Sequence, residues 1–368
     1  MRPLVALLIL SICLVFPPRA DAQGLWQGHT IIGQTPGAQP QPRSEWVVLD
    51  TGGSGGGFGQ GDIRQKLQDV VFWNEKVGWT CGYGGVFRTG DGGLTWTRMK
   101  PKGGWYHMAM PGPEEIWLLE GQHPGGPGKV WLWQSTDGGK TWREQLAGKL
   151  AGYLDLYCRG NERWVLCGGF PSYRSEDGGK TWKQERFGSL LQAAQKIAIP
   201  ADVRTDDGFV IYVLGSYKEN RRLVKSADGG RKWVVVALPD APRHHRYQCY
   251  FATSRMGFVS GPEGQLLFTE DGGETWQRRD LPTNQWVTAL WHDQLGRGFA
   301  AVDNSDFFHF RQTLYETPDA GKTWTAVLGG AKHVSALFAL DPGRLWAVGD
   351  VPGFVPNDLV AICRGHSR

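Results

Sequence analysis

The chain has 368 residues, with 40 Lys and Arg against 36 Asp and Glu, a formal net charge of +4, six cysteines and 18 tryptophans. So small a charge imbalance gives no reason to expect nucleic acid or an anionic membrane surface as partner, and the cysteines are too sparse for a disulfide scaffold. The length exceeds a usual single domain, so internal repetition is the first pattern to seek.

Residues 1–22 read as a secretory signal peptide. One charge, Arg2, precedes an apolar run over residues 4–16, then Pro17, Pro18 and the small-residue triplet Ala20-Asp21-Ala22, with cleavage expected after Ala22. The run is shorter than the about 20 residues that span a bilayer, and a retained anchor is the competing reading. Cys13 follows the bulky Ile12 and precedes further apolar residues, the wrong setting for lipid attachment. The mature protein is expected in the periplasm or outside the cell. Residues 23–43, rich in Gly, Pro and Gln, read as a flexible lead.

Glu45-Trp46-Val47-Val48-Leu49 reads as a strand with no hairpin of its own. After it, one octapeptide recurs six times. The copies are Thr89-Gly-Asp91-Gly-Gly93-Leu-Thr95-Trp96, Ser135-Thr-Asp137-Gly-Gly139-Lys-Thr141-Trp142 and Ser175-Glu-Asp177-Gly-Gly179-Lys-Thr181-Trp182, followed by three more. These are Ser226-Ala-Asp228-Gly-Gly230-Arg-Lys232-Trp233, Thr269-Glu-Asp271-Gly-Gly273-Glu-Thr275-Trp276 and Thr317-Pro-Asp319-Ala-Gly321-Lys-Thr323-Trp324. The aspartates stand 46, 40, 51, 43 and 48 residues apart. A period of about 40–50 residues with several short strands per unit marks the blades of a β-propeller.

Asp followed by Gly-Gly is a hairpin signal, because the glycines accept the positive φ of a tight turn. The carboxylate can accept turn amides, the Ser or Thr hydroxyl and the later Thr can add side-chain bonds, and the Trp covers them. Each copy then satisfies its own backbone, so these aspartates read as structural clasps rather than catalytic acids or metal ligands. Between copies a second pattern recurs, as in Val71-Phe72-Trp73 followed by Gly78-Trp79-Thr80-Cys81-Gly82. Such runs, bounded by turn residues, read as strands A and B, with strand C leading into the octapeptide and strand D leaving it.

Six octapeptides plus the last repeat predict a seven-bladed, all-β propeller of four-stranded antiparallel blades over residues 44–368. The seventh blade has strands near 334–338, 345–348 and 359–363 but lacks a fourth. The strand at 45–49 is expected to supply it, which leaves no open edge in the ring. Cys158 and Cys167 flank a turn at 159–163, so they read either as a cross-strand disulfide, allowed in an exported protein, or as two buried strand cysteines.

The six octapeptides match the Asp-box, or bacterial neuraminidase repeat, found in sialidases, some glycoside hydrolases, sortilin-type receptors and photosystem II assembly factors. The fuller unit here, with Gly-Trp-x-x-Gly before the octapeptide and Trp46-Val-Val-Leu-Asp50-Thr51 at the start, most resembles the photosystem II stability/assembly factor-like propellers. That resemblance, over roughly residues 45–368, implies a non-catalytic scaffold that binds a membrane-protein or envelope-complex partner. The alternative is a secreted glycoside hydrolase or sialidase-like glycan-active protein. A sialidase normally carries its first arginine in an Arg-Ile-Pro motif, and Ile63-Arg64-Gln65 lacks the proline. Paired acids for a glycosidase are offered by Asp206-Asp207 or by Asp303 and Asp306, all in turn-like sequence.

No cofactor or metal is expected, because the nine histidines are scattered without ligand spacing. Gly139-Lys140-Thr141 imitates the end of a phosphate loop, but Gln134 stands where the earlier glycine is required. A protein partner is expected on the face opposite the octapeptides, with the propeller a monomer. There the long connections fall near 121–129, 216–222, 302–312 and 349–358. Lys218, Arg221 and Arg222 with Arg243, His244, His245 and Arg246 make a candidate basic patch, whose competing reading is a solvated rim. Phe307-Phe308-His309-Phe310-Arg311 makes a candidate apolar contact loop or, equally, a strand extension.

Overall fold

Short apolar runs separated by Gly, Asp and Asn turns leave the chain little choice but antiparallel hairpins. The computed structural model describes residues 45–49, 67–100, 104–121, 130–150, 154–167, 171–200, 204–205, 208–218, 220–239, 248–303, 312–329, 333–350 and 361–365. All fall within the compact unit Gln39–Arg368.

Strand β1 (Glu45–Leu49) precedes a first four-stranded sheet of β2 (Leu67–Phe72), β3 (Gly78–Gly82), β4 (Gly85–Thr89) and β5 (Thr97–Lys100). The second holds β6 (Trp105–Ala109), β7 (Ile116–Gly121), β8 (Val130–Ser135) and β9 (Arg143–Leu150). The third holds β10 (Leu154–Arg159), β11 (Glu162–Cys167), β12 (Ser172–Ser175) and β13 (Lys183–Glu185). In the fourth, β14 (Ala193–Ala198) is separated from its neighbour by a small hairpin, β15 (Arg204–Thr205) and β16 (Gly208–Phe209). The sheet then continues with β17 (Ile211–Tyr217), β18 (Asn220–Ser226) and β19 (Val234–Val236). The fifth holds β20 (Cys249–Phe251), β21 (Gly257–Ser260), β22 (Leu266–Thr269) and β23 (Gln277–Arg278).

The remaining strands are β24 (Trp286–His292), β25 (Gly298–Asp303), β26 (Gln312–Thr317), β27 (Thr325–Gly329), β28 (His333–Asp341), β29 (Arg344–Asp350) and β30 (Ala361–Gly365). They do not form two separate blades. With β1 they make one eight-stranded sheet, so the described residues give six blade sheets where seven were expected. The physical cause is local: β25 runs on to Asp303 and β28 starts at His333, and that one residue pair joins the two groups. The first strand pairs antiparallel with β30, Glu45 opposite Gly365 and Leu49 opposite Ala361.

The core lies between neighbouring groups of strands. Trp79, Cys81 and Val86 of the first sheet pack with Met108, Ile116 and Leu118 of the second, and each following sheet meets the next in the same way. The circuit returns to its start where Trp346 and Val348 of β29 pack on Leu67, Val70, Phe72 and Phe87. The first strands touch in the same order, β2 to β6, β10, β14, β20, β24, β28 and back to β2. Because both faces of each sheet are covered, the second strands are buried over most of their length rather than alternating, β3 and β25 at every position.

Candidate functional site

Within each octapeptide the bonds follow one plan. In the second copy the Ser135 hydroxyl donates to Asp137 Oδ1 at 2.8 Å and accepts the Gly139 N–H at 2.8 Å. The Thr141 N–H donates to Asp137 Oδ1 at 2.9 Å, and its hydroxyl to Oδ2 at 2.6 Å. The copies at Asp91, Asp177, Asp271 and Asp319 repeat these bonds. The Thr141 hydroxyl, then its amide and Ser135, hold the Asp137 carboxyl at about 2, below the usual carboxylate value. A carboxylate so fully engaged by its own turn is a poor proton donor or acceptor at neutral pH.

The turn also works outward. Its first glycine donates to the turn between the first two strands of the same sheet, Gly138 to Glu114 O and Gly178 to Asn161 O, both at 2.9 Å. The tryptophan does more than cover its own turn, because it crosses to the preceding sheet. Trp142 meets Trp79 edge to face with centroids 6.2 Å apart, and Trp182 meets Trp117 at 6.0 Å. Trp233 on Trp164 and Trp324 on Phe258 repeat the joint, while Trp96 packs with Phe72 of its own sheet and Trp276 enters the fourth-to-fifth core. Where the last group lacks an octapeptide, Trp346 Nε1 donates to Gly92 O of the first at 3.0 Å.

Polar side chains on the first strands form a second set of joints that sequence reasoning missed. Asp69 accepts the Met108 N–H at 2.8 Å, with His107 Nδ1 3.5 Å from the same oxygen. Asp155, almost wholly buried, accepts the Ile197 N–H at 2.9 Å and Lys196 Nζ at 3.1 Å. Thr288 donates to Val334 O at 2.6 Å. Burial opposes the charge on Lys196, but Asp155 outweighs it and raises the lysine above its ordinary value. The residues joined in this way lie 38 to 46 positions apart, with no local motif to signal them. Among the described residues no group of three or more His, Cys, Asp or Glu is placed to hold a metal ion.

The predicted basic patch divides. β17 and β18 pair as far as Tyr217 opposite Asn220, so Arg221 and Arg222 belong to β18 rather than to a long loop. Arg221 is 3% exposed and donates to Ser260 O of the fifth sheet, which makes it a joint between sheets rather than a surface cation. The alternation of β18 sends Arg222 the other way, 4.1 Å over the Tyr217 ring, with a hydrogen bond to Leu190 O at 3.1 Å. Lys218 is exposed in the turn at φ 54°, its N–H held by Gln192 Oε1 at 2.6 Å. Arg243, His244, His245, Arg246, Phe307, Phe308, His309 and Arg311 lie outside the described residues, as do Arg64, Asp206, Asp207 and Asp306. Asp303 is buried at the junction of β25 with β28.

The cross-strand disulfide is not formed. The turn between β10 and β11 places Cys158 opposite Arg163 and Cys167 opposite Leu154. That offset of four residues is about 13 Å along a strand at about 3.3 Å per residue, against the about 7 Å limit between bridged α-carbons. Cys81, Cys158 and Cys249 are free thiols. Burial pushes all three up, Cys249 to about 12, far from a reactive thiolate.

Comparison with known proteins places these features. Residues 191–349 match the family described as photosynthesis system II assembly factor YCF48. A curated relative, the photosystem II assembly lipoprotein Ycf48 of Synechococcus sp. (strain CC9902), is 28% identical over 131 residues, 35% of this chain and 37% of the relative. The matched segment thus spans little more than a third of that relative. A solved structure described as YCF48 bound to D1 peptide superposes with a TM-score of 0.61 at 17% identity, covering 91% of this chain and all of that one. A GH74 xyloglucanase from Xanthomonas campestris gives a TM-score of 0.62 at 17% identity, over 86% of this chain and 55% of the enzyme. The structural likenesses are ones of fold. In sequence the chain resembles the photosystem II assembly factor-like propellers.

Proposed function

We propose that this chain is an exported, non-catalytic propeller that acts as a protein-binding or assembly scaffold, similar to the photosystem II assembly factor-like proteins. The observation that carries this reading is the match of residues 191–349 to that family. A relative of the same fold is described as bound to D1 peptide, and a protein segment is the kind of ligand proposed here. The working unit is a monomer of residues 23–368, released by cleavage after Ala22 into the periplasm or medium, with a lead at 23–43 and the propeller at 44–368. The first strands touch in a circuit, and among the described residues one ladder pair, Asp303 opposite His333, merges the last two groups of strands into a single sheet.

The partner is proposed to dock on the face opposite the octapeptides. Lys218 and Arg222 beside Tyr217 offer two cations around an aromatic ring, suited to an acidic segment or a chain-terminal carboxylate. Arg243, His244, His245 and Arg246 would extend this patch, and Phe307, Phe308, His309 and Arg311 would add an apolar contact. Arg221 is left out because its guanidinium is buried.

The hydrolase reading draws on the fold shared with a xyloglucanase. It needs two unengaged carboxylates across one cleft, whereas Asp69 and Asp155 each bond the next first strand. The deciding experiment is affinity capture from the native envelope with wild type and with Lys218, Arg222, Arg243 and Arg246 changed to Glu. Loss of a specific protein partner from the variant is expected. Equal recovery would overturn the basic face, and hydrolysis of aryl glycosides by the purified wild type would overturn the scaffold reading.

A further inference from the structure

The repeats act as internal controls on one another, and the fourth stands apart. Five octapeptides carry Thr95, Thr141, Thr181, Thr275 or Thr323, and each hydroxyl donates to its aspartate Oδ2 at 2.5–2.8 Å. In the fourth, Lys232 has no hydroxyl to give, and Asp228 Oδ1 accepts the N–H groups of Arg231 and Lys232 and the Ser226 hydroxyl. The exchange costs a clasp bond and places two exposed cations, Arg231 and Lys232, side by side.

The strand that follows departs in the same place. β19 is the outer strand of its sheet, and among the described residues no strand pairs its far side. Val234 is 60% exposed and Val235 47%. Outer strands elsewhere carry charge: Arg98 and Lys100 on β5, Arg143 and Glu144 on β9, Lys183 and Glu185 on β13, Arg278 on β23. Such charges keep an open edge from pairing with foreign strands. The outer strand β27 is also uncharged, but Val327 and Leu328 pack against the core there. Only β19, among the described outer strands, presents large apolar side chains on an uncharged edge.

We infer that β19 takes up an extended segment of a partner protein by strand addition. The added strand lies antiparallel, with aliphatic residues beside Val234 and Val235 and acidic residues at its C-terminal end, facing Arg231 and Lys232. Main-chain bonds to an open edge supply affinity in such docking, and the side chains flanking the edge select the sequence. Valine beside valine across an antiparallel pair is a favourable contact, and opposite charges at the end fix direction. This surface lies on the outer edge of the fourth sheet and does not rest on the basic face proposed above.

The test uses the full mature protein and a fluorescein-labelled peptide, Thr-Val-Thr-Val-Thr-Asp-Glu, titrated by anisotropy at low salt. Saturable binding is expected, weakened at least tenfold by Val235→Lys and by Arg231→Glu with Lys232→Glu. A peptide ending in Lys-Lys should recover binding to the charge-reversed protein. Urea midpoints close to wild type check that each variant is folded, and Val235→Thr, which keeps the strand, should keep binding. No saturable binding up to about 1 mM, binding indifferent to Val235→Lys, or failure of the charge swap would overturn the proposal. So would sedimentation showing that the edge pairs two copies of this chain.

Discussion

Gly139 of the second octapeptide lies against Trp79 of the first sheet so closely that an added β-carbon would stand 2.3 Å from the indole Cη2. Its φ is +85°, so the position demands glycine for both backbone and space. Gly179 stands to Trp117 in the same way, at 2.3 Å and φ +90°. The octapeptide is therefore a joint between neighbouring sheets as well as a turn.

Gly139→Ala and Gly179→Ala should each destabilise the protein by at least about 2 kcal/mol. The left-handed backbone costs a β-carbon about 1–2 kcal/mol, and overpacking against the indole adds about 1–3 kcal/mol. Gly90→Ala, with nothing within 4 Å of its new methyl, is the control and should change little. Urea unfolding of the three variants decides it, and equal midpoints would remove the joint from the account.

Trp346 closes the circuit by stacking on Phe72, centroids 3.9 Å apart, and bonding Gly92 O. Trp346→Ala should cost about 3–5 kcal/mol through the cavity it leaves. Trp346→Phe removes the N–H donor as well as volume, so it should fall between wild type and alanine. The comparison is read from thermal unfolding, with the near-ultraviolet circular dichroism of the stacked pair as a local signal.

Acid should weaken the octapeptides together. Their aspartates bind protons less readily when folded, Asp137 at about 2 against 3.8 for an ordinary Asp. The unfolded chain therefore takes up protons first. The stabilisation is full above about pH 4 and is lost as pH falls toward about 2. Thr141→Val should lower stability at pH 7 and shrink the loss between pH 4 and 2, measured by urea titration at each pH.

His292 predicts a separate and milder transition. Burial between Tyr250 and Phe258 lowers it from 6.5 to about 4, so the folded protein holds it neutral. Its folded value lies below its unfolded one, so stability is full above about pH 6.5 and declines as pH falls toward 4. His292→Phe should flatten the urea-midpoint profile in that window. An unchanged profile would show that the ring is solvated.

Asp155→Ala should be severe for a structural reason. It strips partners from the Ile197 amide and from Lys196, and breaking a buried pair from one side costs about 3–5 kcal/mol. Asp155→Ala with Lys196→Met should recover part of the loss, because no buried charge is then left alone.

The octapeptide bonds were legible in the sequence because donor and acceptor lie within eight residues, as between Thr141 and Asp137. Arg221 was not, because its exposure depends on the parity of β18 and on Ser260 of another sheet, 39 residues away. The turn between Cys158 and Cys167 was foreseen, but the register that separates them follows from a turn only two residues long. Asp69 and Asp155 carried no signal because their partners belong to the following first strand.

By itself, then, the sequence determined the repeat, the turn chemistry and the four-stranded unit, since these depend on φ preferences and hydrogen bonds over a few residues. Tertiary structure alone decided which aromatic meets which glycine, where β28 joins β25, and that Val234 and Val235 stand on an open edge. Those outcomes depend on register and on contacts between sheets some 40 residues apart, where a single shift exchanges a buried side chain for an exposed one.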